Sequence, residues 1–250
     1  MRGFLFSVAA GLCFCAQASA PVPATVHHTV SGEGALQETR VIYEPSALEF
    51  TDIVLLLHGC NPWTGWSKLD LSLFKNPRAR TLYLMPMSPA SMLCVQGTLA
   101  HFTQFTVPQF VASVVGKLPS TVPTIARNPV FRVAAHSGGM KVVPRIEAMN
   151  PGLIQEYTLV DATYLNGLMT TPPTIEAEFR AFAVQRQSQI QCLYSTLPSA
   201  LPKAQTTAQG CLEVCYGTKM PMPQHSSCAL YSGQAVDHMG LFYESFGKYF

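Results

Sequence analysis

The chain has 250 residues, enough for one sizeable α/β domain, and at 48% hydrophobic and 12% charged it is neither disordered nor a solvating tail. Its formal net charge of +2 contains no basic block, which argues against a nucleic-acid surface.

The chain begins MRGFLFSVAAGLCFCAQASA. Arg2 precedes an apolar run from Phe4 to about Cys15, and small residues follow, the pattern of a secretory signal peptide over residues 1–20. Ala16-Gln17-Ala18 and Ala18-Ser19-Ala20 both fit the small-x-small cleavage rule, and Pro21 just after the second leaves the cut open between them. The run is too short to span a bilayer, and no other stretch is longer and as apolar, so no stable membrane insertion is expected. The mature chain, 21–250, is expected to be a single domain, secreted or periplasmic.

PVPATVHHTVSGEG, from residue 21, reads as an extended arm with an edge strand. Apolar runs then recur with turn signals between them: TRVIYEP (39–45), IVLLLHG (53–59), TLYLMP (81–86), VFRVAAH (130–136), YTLVDA (157–162), IQCLYS (190–195) and CALYSG (228–233). Several are continuous rather than alternating, as strands buried on both faces of a parallel sheet require. Helical patterns fall between them at 99–117, 139–149, 174–188 and 239–249. The alternation predicts βαβ units and a mostly parallel, doubly wound α/β sheet with helices on both faces. Asn61, Asn76, Asn128 and Asn150 each precede a proline and read as turns bounding these elements. Residues 197–226, rich in Pro, Gln, Thr and Cys, read as an irregular excursion.

Of the eight cysteines, Cys13 and Cys15 lie in the signal peptide, leaving Cys60, Cys94, Cys192, Cys211, Cys215 and Cys228. An even number in an exported chain predicts disulfides, with the pairing open. Cys211-x-x-x-Cys215 has no matching ligand pair nearby, and His27-His28 stands alone, so no metal site is expected. Nothing calls for a cofactor.

The stretch VFRVAAHSGGMKVV carries the chemistry. A strand runs into Ser137, and a helix follows. Such a turn brings strand and helix so close that the residues two positions either side of the serine must be small. Ala135 and Gly139 meet that demand. The turn exposes the hydroxyl above the sheet and aims the helix N-terminus at developing negative charge.

Strand, A-H-S-G-G, helix resembles the nucleophile elbow of the α/β-hydrolase superfamily, in its secreted lipase/esterase-like form, with Ala135 in place of the usual first glycine. The IVLLLHGC segment resembles that superfamily's strand-then-His-Gly turn, and its HGC wording is similar to polyhydroxybutyrate-depolymerase-like and feruloyl-esterase-like enzymes. The resemblance implies an α/β-hydrolase fold, without a large lid given the short connections up to about residue 196. It implies an oxyanion hole from the backbone N–H groups of Gly138 and Cys60, and a triad in the order Ser, acid, His. Of His225 and His238, which alone follow Ser137, His238 comes after the last strand and before the final helix, where that order puts the base. Candidate acids are Glu147, Glu156, Asp161, Glu176, Glu178, Glu213, Asp237 and Glu244. Asp161 closes the strand TLVDA at the same sheet edge as the elbow and is preferred, with Glu213 in reserve.

The implied activity is a serine hydrolase cleaving carboxylic esters, small or polymeric, through an acyl-enzyme. Trp63, Trp66 and His136 could line the substrate pocket. Equally, the tryptophans could pack their loop, and His58 and His136 could support the two turns. Two alternatives stand beside this: a peptidase, amidase or acyltransferase of the same fold, and a non-catalytic hydrolase-fold binding protein.

Overall fold

The computed structural model describes residues 25–59, 71–89, 95–162, 173–194, 211, 229–232 and 238–250. Within them the chain runs through β1 (Val26–Ser31), β2 (Glu38–Tyr43), β3 (Glu49–Leu57), β4 (Thr81–Met87), α1 (Gln96–His101), α2 (Val107–Val115) and β5 (Thr124–His136). It continues through α3 (Val143–Met149), β6 (Ile154–Val160), α4 (Pro173–Arg186), β7 (Ile190–Tyr194), β8 (Ala229–Ser232) and α5 (His238–Ser245). Every apolar run of the sequence lies on one of these strands, and the N-terminal arm supplies β1 at the edge.

The strands form one eight-stranded sheet in the order β1-β2-β4-β3-β5-β6-β7-β8. The pairs β1–β2 and β2–β4 are antiparallel, and every pair from β4 across to β8 is parallel. Side chains alternate across the sheet. Ile53, Leu55 and Leu57 of β3 join one core with α2, α3 and α4, through Val107, Phe110, Ile146, Phe179 and Phe182. Val54 and Leu56 join a second core with Leu241 and Phe242 of α5 and with Phe246 just after it. Helices therefore cover both faces, which is why these strands are largely apolar, with Arg132 of β5 paired to Asp52 on β3 and Glu156 on β6.

Three boundaries depart from expectation. The single helix expected over 99–117 is two, because Thr106 starts a new one: its hydroxyl accepts from the Gln109 N–H while the Gln109 side chain accepts from the Thr106 N–H. The helix expected from 139 opens as a tight 3₁₀ turn over Ser137–Lys141, and α-helix begins only at Val143, with Pro144 in its first turn where a missing N–H costs nothing. Asn128-Pro129 does not end an element. It lies inside β5, where the register slips between Phe50↔Ile125 and Asp52↔Val130, so the strand bulges around the proline and resumes.

Cys192 on β7 forms a disulfide with Cys211, which settles one of the open pairings. Cys60, Cys94, Cys215 and Cys228 lie outside the described residues, as do residues 1–20 and, apart from Cys211, the excursion at 197–226. Among the described residues no helix is long and apolar enough to cross a membrane.

Candidate active site

Strand β5 lies between β3 and β6, with Ala135 opposite Leu57 and His136 opposite Val160. Ser137 comes next and turns away with φ 51. Left-handed backbone costs a non-glycine residue about 1–2 kcal/mol, so the surroundings must hold it. Two glycines show how tightly they do. A Cβ added at Gly59 would lie 2.9 Å from Ser137 Oγ and closer still to its Cβ. A Cβ added at Gly139 would lie 2.5 Å from the Leu57 carbonyl oxygen and 2.9 Å from that of His58. The small residues around Ser137 are therefore steric necessities: the end of β3, the serine and the following turn occupy one space.

Asp161 stands in the matching place on the next strand. It follows Val160, the register partner of His136, and its φ is 44. Its N–H donates to the Leu193 carbonyl at 2.8 Å, tying the turn to β7, and the residue is buried. Other described carboxylates after Ser137 are committed elsewhere. Glu147 holds Arg186 and accepts from the Tyr157 hydroxyl, Glu156 pairs with Arg132, and Glu178 pairs with Arg145. Glu244 is exposed. Glu213, Asp237 and the side chain of Glu176 lie outside the described residues.

His58 supports the turn after β3. Its Nδ1 donates to the Gly59 carbonyl at 2.8 Å, and its Nε2 lies 3.4 Å from the Ser88 N–H at the end of β4. Burial pushes its pKa down to about 4, with Arg40 adding to the fall and the Gly59 bond opposing it. A neutral ring with one nitrogen donating and the other accepting braces the ends of two strands.

His136 is buried against α5, its ring stacked on Phe242 at 4.8 Å between centroids and 18° between planes. His238 is the first residue of α5, one turn before Phe242, and its side chain lies outside what is described. Cys60, Trp63 and Trp66 fall outside the described residues, and Gly138 is buried in the turn beside Ser137. Among the described residues no three His, Cys, Asp or Glu side chains gather closely enough to hold a metal ion.

Sequence reasoning missed Gly59 as a wall of the serine, although the HG dipeptide marks it. It also missed Phe242, which carries no signal beyond its spacing from His238.

No family profile and no curated protein matches the sequence. Solved structures do match in shape. An S-formylglutathione hydrolase from Agrobacterium tumefaciens superposes with a TM-score of 0.52 at 15% identity, over 93% of this chain and 95% of that one. A feruloyl esterase module from Clostridium thermocellum, complexed with sinapinate, gives 0.53 at 12% identity, over 96% and 93%. A siderophore hydrolase from Aspergillus nidulans gives 0.51 at 9% identity, over 92% and 95%. Strand order, strand directions and these superpositions agree: the chain has the α/β-hydrolase fold.

Proposed function

We propose that the protein is an exported serine hydrolase that cleaves carboxylic esters, with Ser137 as nucleophile, His238 as base and Asp161 as the acid that orients it. The observation that carries this is the backbone of Ser137: a left-handed serine at the end of a central parallel strand, walled by glycines that leave no room for a Cβ. A polar residue held in strained geometry at the C-terminal edge of such a sheet is where this architecture does chemistry. The names of the fold neighbours, an esterase and two hydrolases, support hydrolysis as the reaction.

In this mechanism Ser137 Oγ attacks the acyl carbonyl as His238 removes its proton. The carbonyl oxygen becomes an oxyanion, stabilised by the N–H groups of Gly138 and Cys60, each worth about 3 kcal/mol by comparison with other oxyanion donors. Collapse expels the alkoxide, which takes the proton from His238. A water then gives a proton to His238 and its hydroxide attacks the acyl-enzyme, and the carboxylic acid leaves as Ser137 regains its proton. Asp161 holds the imidazole in the right tautomer and offsets its charge in both halves.

The N-terminal signal pattern and the Cys192–Cys211 bond support export. The test is hydrolysis of p-nitrophenyl esters from acetate to palmitate by the mature chain beside Ser137→Ala. Activity that disappears in the variant is expected, and an unchanged rate would refute the assignment.

A further inference from the structure

The second core of the molecule ends at the elbow. Phe74, Phe246, Phe250 and Tyr83 pack against one another and against α5, with Phe74 meeting Phe242 at 5.5 Å and Phe246 at 5.0 Å. Phe242 is wholly buried, and besides Phe74, Tyr243 and Phe250 it meets the ring of His136, the residue immediately before Ser137. Phe242 is also one helical turn after His238. One stacked pair therefore joins the strand that ends in the serine to the helix that begins with the histidine.

We infer that Phe242, through its stack on His136, is the positioning residue that sets the depth of α5, and with it His238, against Ser137. The inference rests on the triad assignment above. Its physical basis is that the two triad members come from elements with no hydrogen-bonded ladder between them. β5 is fixed by its ladders to β3 and β6, whereas α5 lies against the sheet through the side chains it packs into the second core. Apolar packing alone is non-directional and lets a helix slide or roll. Two rings 18° from parallel at 4.8 Å add a preferred separation and orientation. Proton transfer between a serine and a histidine needs heavy atoms within about 3 Å, so a displacement of about 1 Å in α5 is enough to slow acylation severely.

Phe246 provides the control, because it is buried in the same aromatic cluster near the end of α5 but does not meet His136. The experiment compares Phe242→Met with Phe246→Met, both close to volume-conserving. The readouts are thermal unfolding, KM and kcat on a p-nitrophenyl ester, and the rate of Ser137 labelling by a phosphonate. Both variants are expected to lose similar stability. Only Phe242→Met is expected to lower kcat and the labelling rate, by about tenfold or more with KM little changed. Phe242→Tyr, which keeps the ring, is expected to retain the wild-type labelling rate to within a few-fold.

Equal labelling rates in a folded Phe242→Met and in the wild type would overturn the inference, and so would equal losses in both methionine variants. If the wild type itself forms no Ser137 adduct, it is the triad assignment that fails. If Phe242→Met does not fold, Phe242→Leu read by labelling rate at a temperature where it is folded takes its place, with the same two outcomes.

Discussion

Ser137 and Asp161 leave adjacent parallel strands at the same level, each one residue beyond the His136↔Val160 pair and each with positive φ, 51 and 44. Two non-glycine residues in left-handed backbone at neighbouring strand ends mark the part of the sheet where geometry is held against its intrinsic cost. The acid of this architecture comes more often from the strand after β6, but the segment IQCLYSTLP from β7 onward carries no carboxylate.

Asp161→Asn separates the two candidate acids. Asparagine tolerates left-handed backbone and keeps the shape, so thermal unfolding should shift little. In the proposed triad the charge that orients the histidine is lost, and kcat on a p-nitrophenyl ester should fall by about a thousandfold or more. Full activity in Asp161→Asn, with loss in Glu213→Gln, would move the acid to the excursion.

The strain at Ser137 is measurable without substrate. Glycine carries no penalty at φ 51, whereas alanine carries it in full. Ser137→Gly should therefore be more stable than Ser137→Ala by about 1 kcal/mol in urea unfolding. Equal stability would mean that the turn relaxes when the hydroxyl is removed.

Gly59→Ala tests the steric wall. The new Cβ would sit 2.9 Å from Ser137 Oγ and closer still to its Cβ, so strand end or serine must move. Overpacking of this kind costs about 1–3 kcal/mol, and a displaced nucleophile costs activity besides. Lower thermal stability with hydrolysis near background is the expected result. A variant as stable and active as wild type would show that the two elements are not locked together.

Much of this architecture was legible because strands covered on both faces, parallel in the centre of the sheet and antiparallel at β2, are written as largely apolar runs. TRVIYEP, IVLLLHG, TLYLMP and VFRVAAH could hardly be anything else, and each lies on its strand. What escaped was decided by single hydrogen bonds or by contacts distant in sequence. TVPQ at 106–109 carries a capping box that splits a helix, a signal present in the letters but subordinate to the apolar pattern around it. Asn128-Pro129 reads as a turn, yet the neighbouring strands hold the chain extended on both sides and absorb it as a bulge. Of the candidate site, the placement of Ser137 and Asp161 at adjacent strand ends could be read from position along the chain. The wall formed by Gly59 and the stack of Phe242 on His136 could not, because each depends on how elements far apart in sequence meet.

His58 makes stability depend on pH. Its native pKa of about 4 lies below the ordinary 6.5 because of burial. Below 6.5 the unfolded chain takes up a proton that the native ring refuses. Stability should be flat for this group above pH 6.5 and fall as pH drops from there towards 4, by up to about 3 kcal/mol. Burial lowers the pKa of His101 as well, which acts in the same direction. Urea unfolding from pH 7.5 to 4.5, with NMR titration of the His58 ring, checks both sign and source. A ring that titrates near 6.5, or a stability constant over that range, would contradict the brace between β3 and β4.

The central claim is that Ser137 is an activated nucleophile, and the most direct measurement is intact-mass and peptide analysis after exposure to a fluorophosphonate. One adduct per chain is expected, located on Ser137, formed rapidly by the wild type, absent in Ser137→Ala and slowed severely in His238→Ala. A folded wild-type chain that forms no adduct at Ser137, or forms it no faster than the His238→Ala variant, would contradict it.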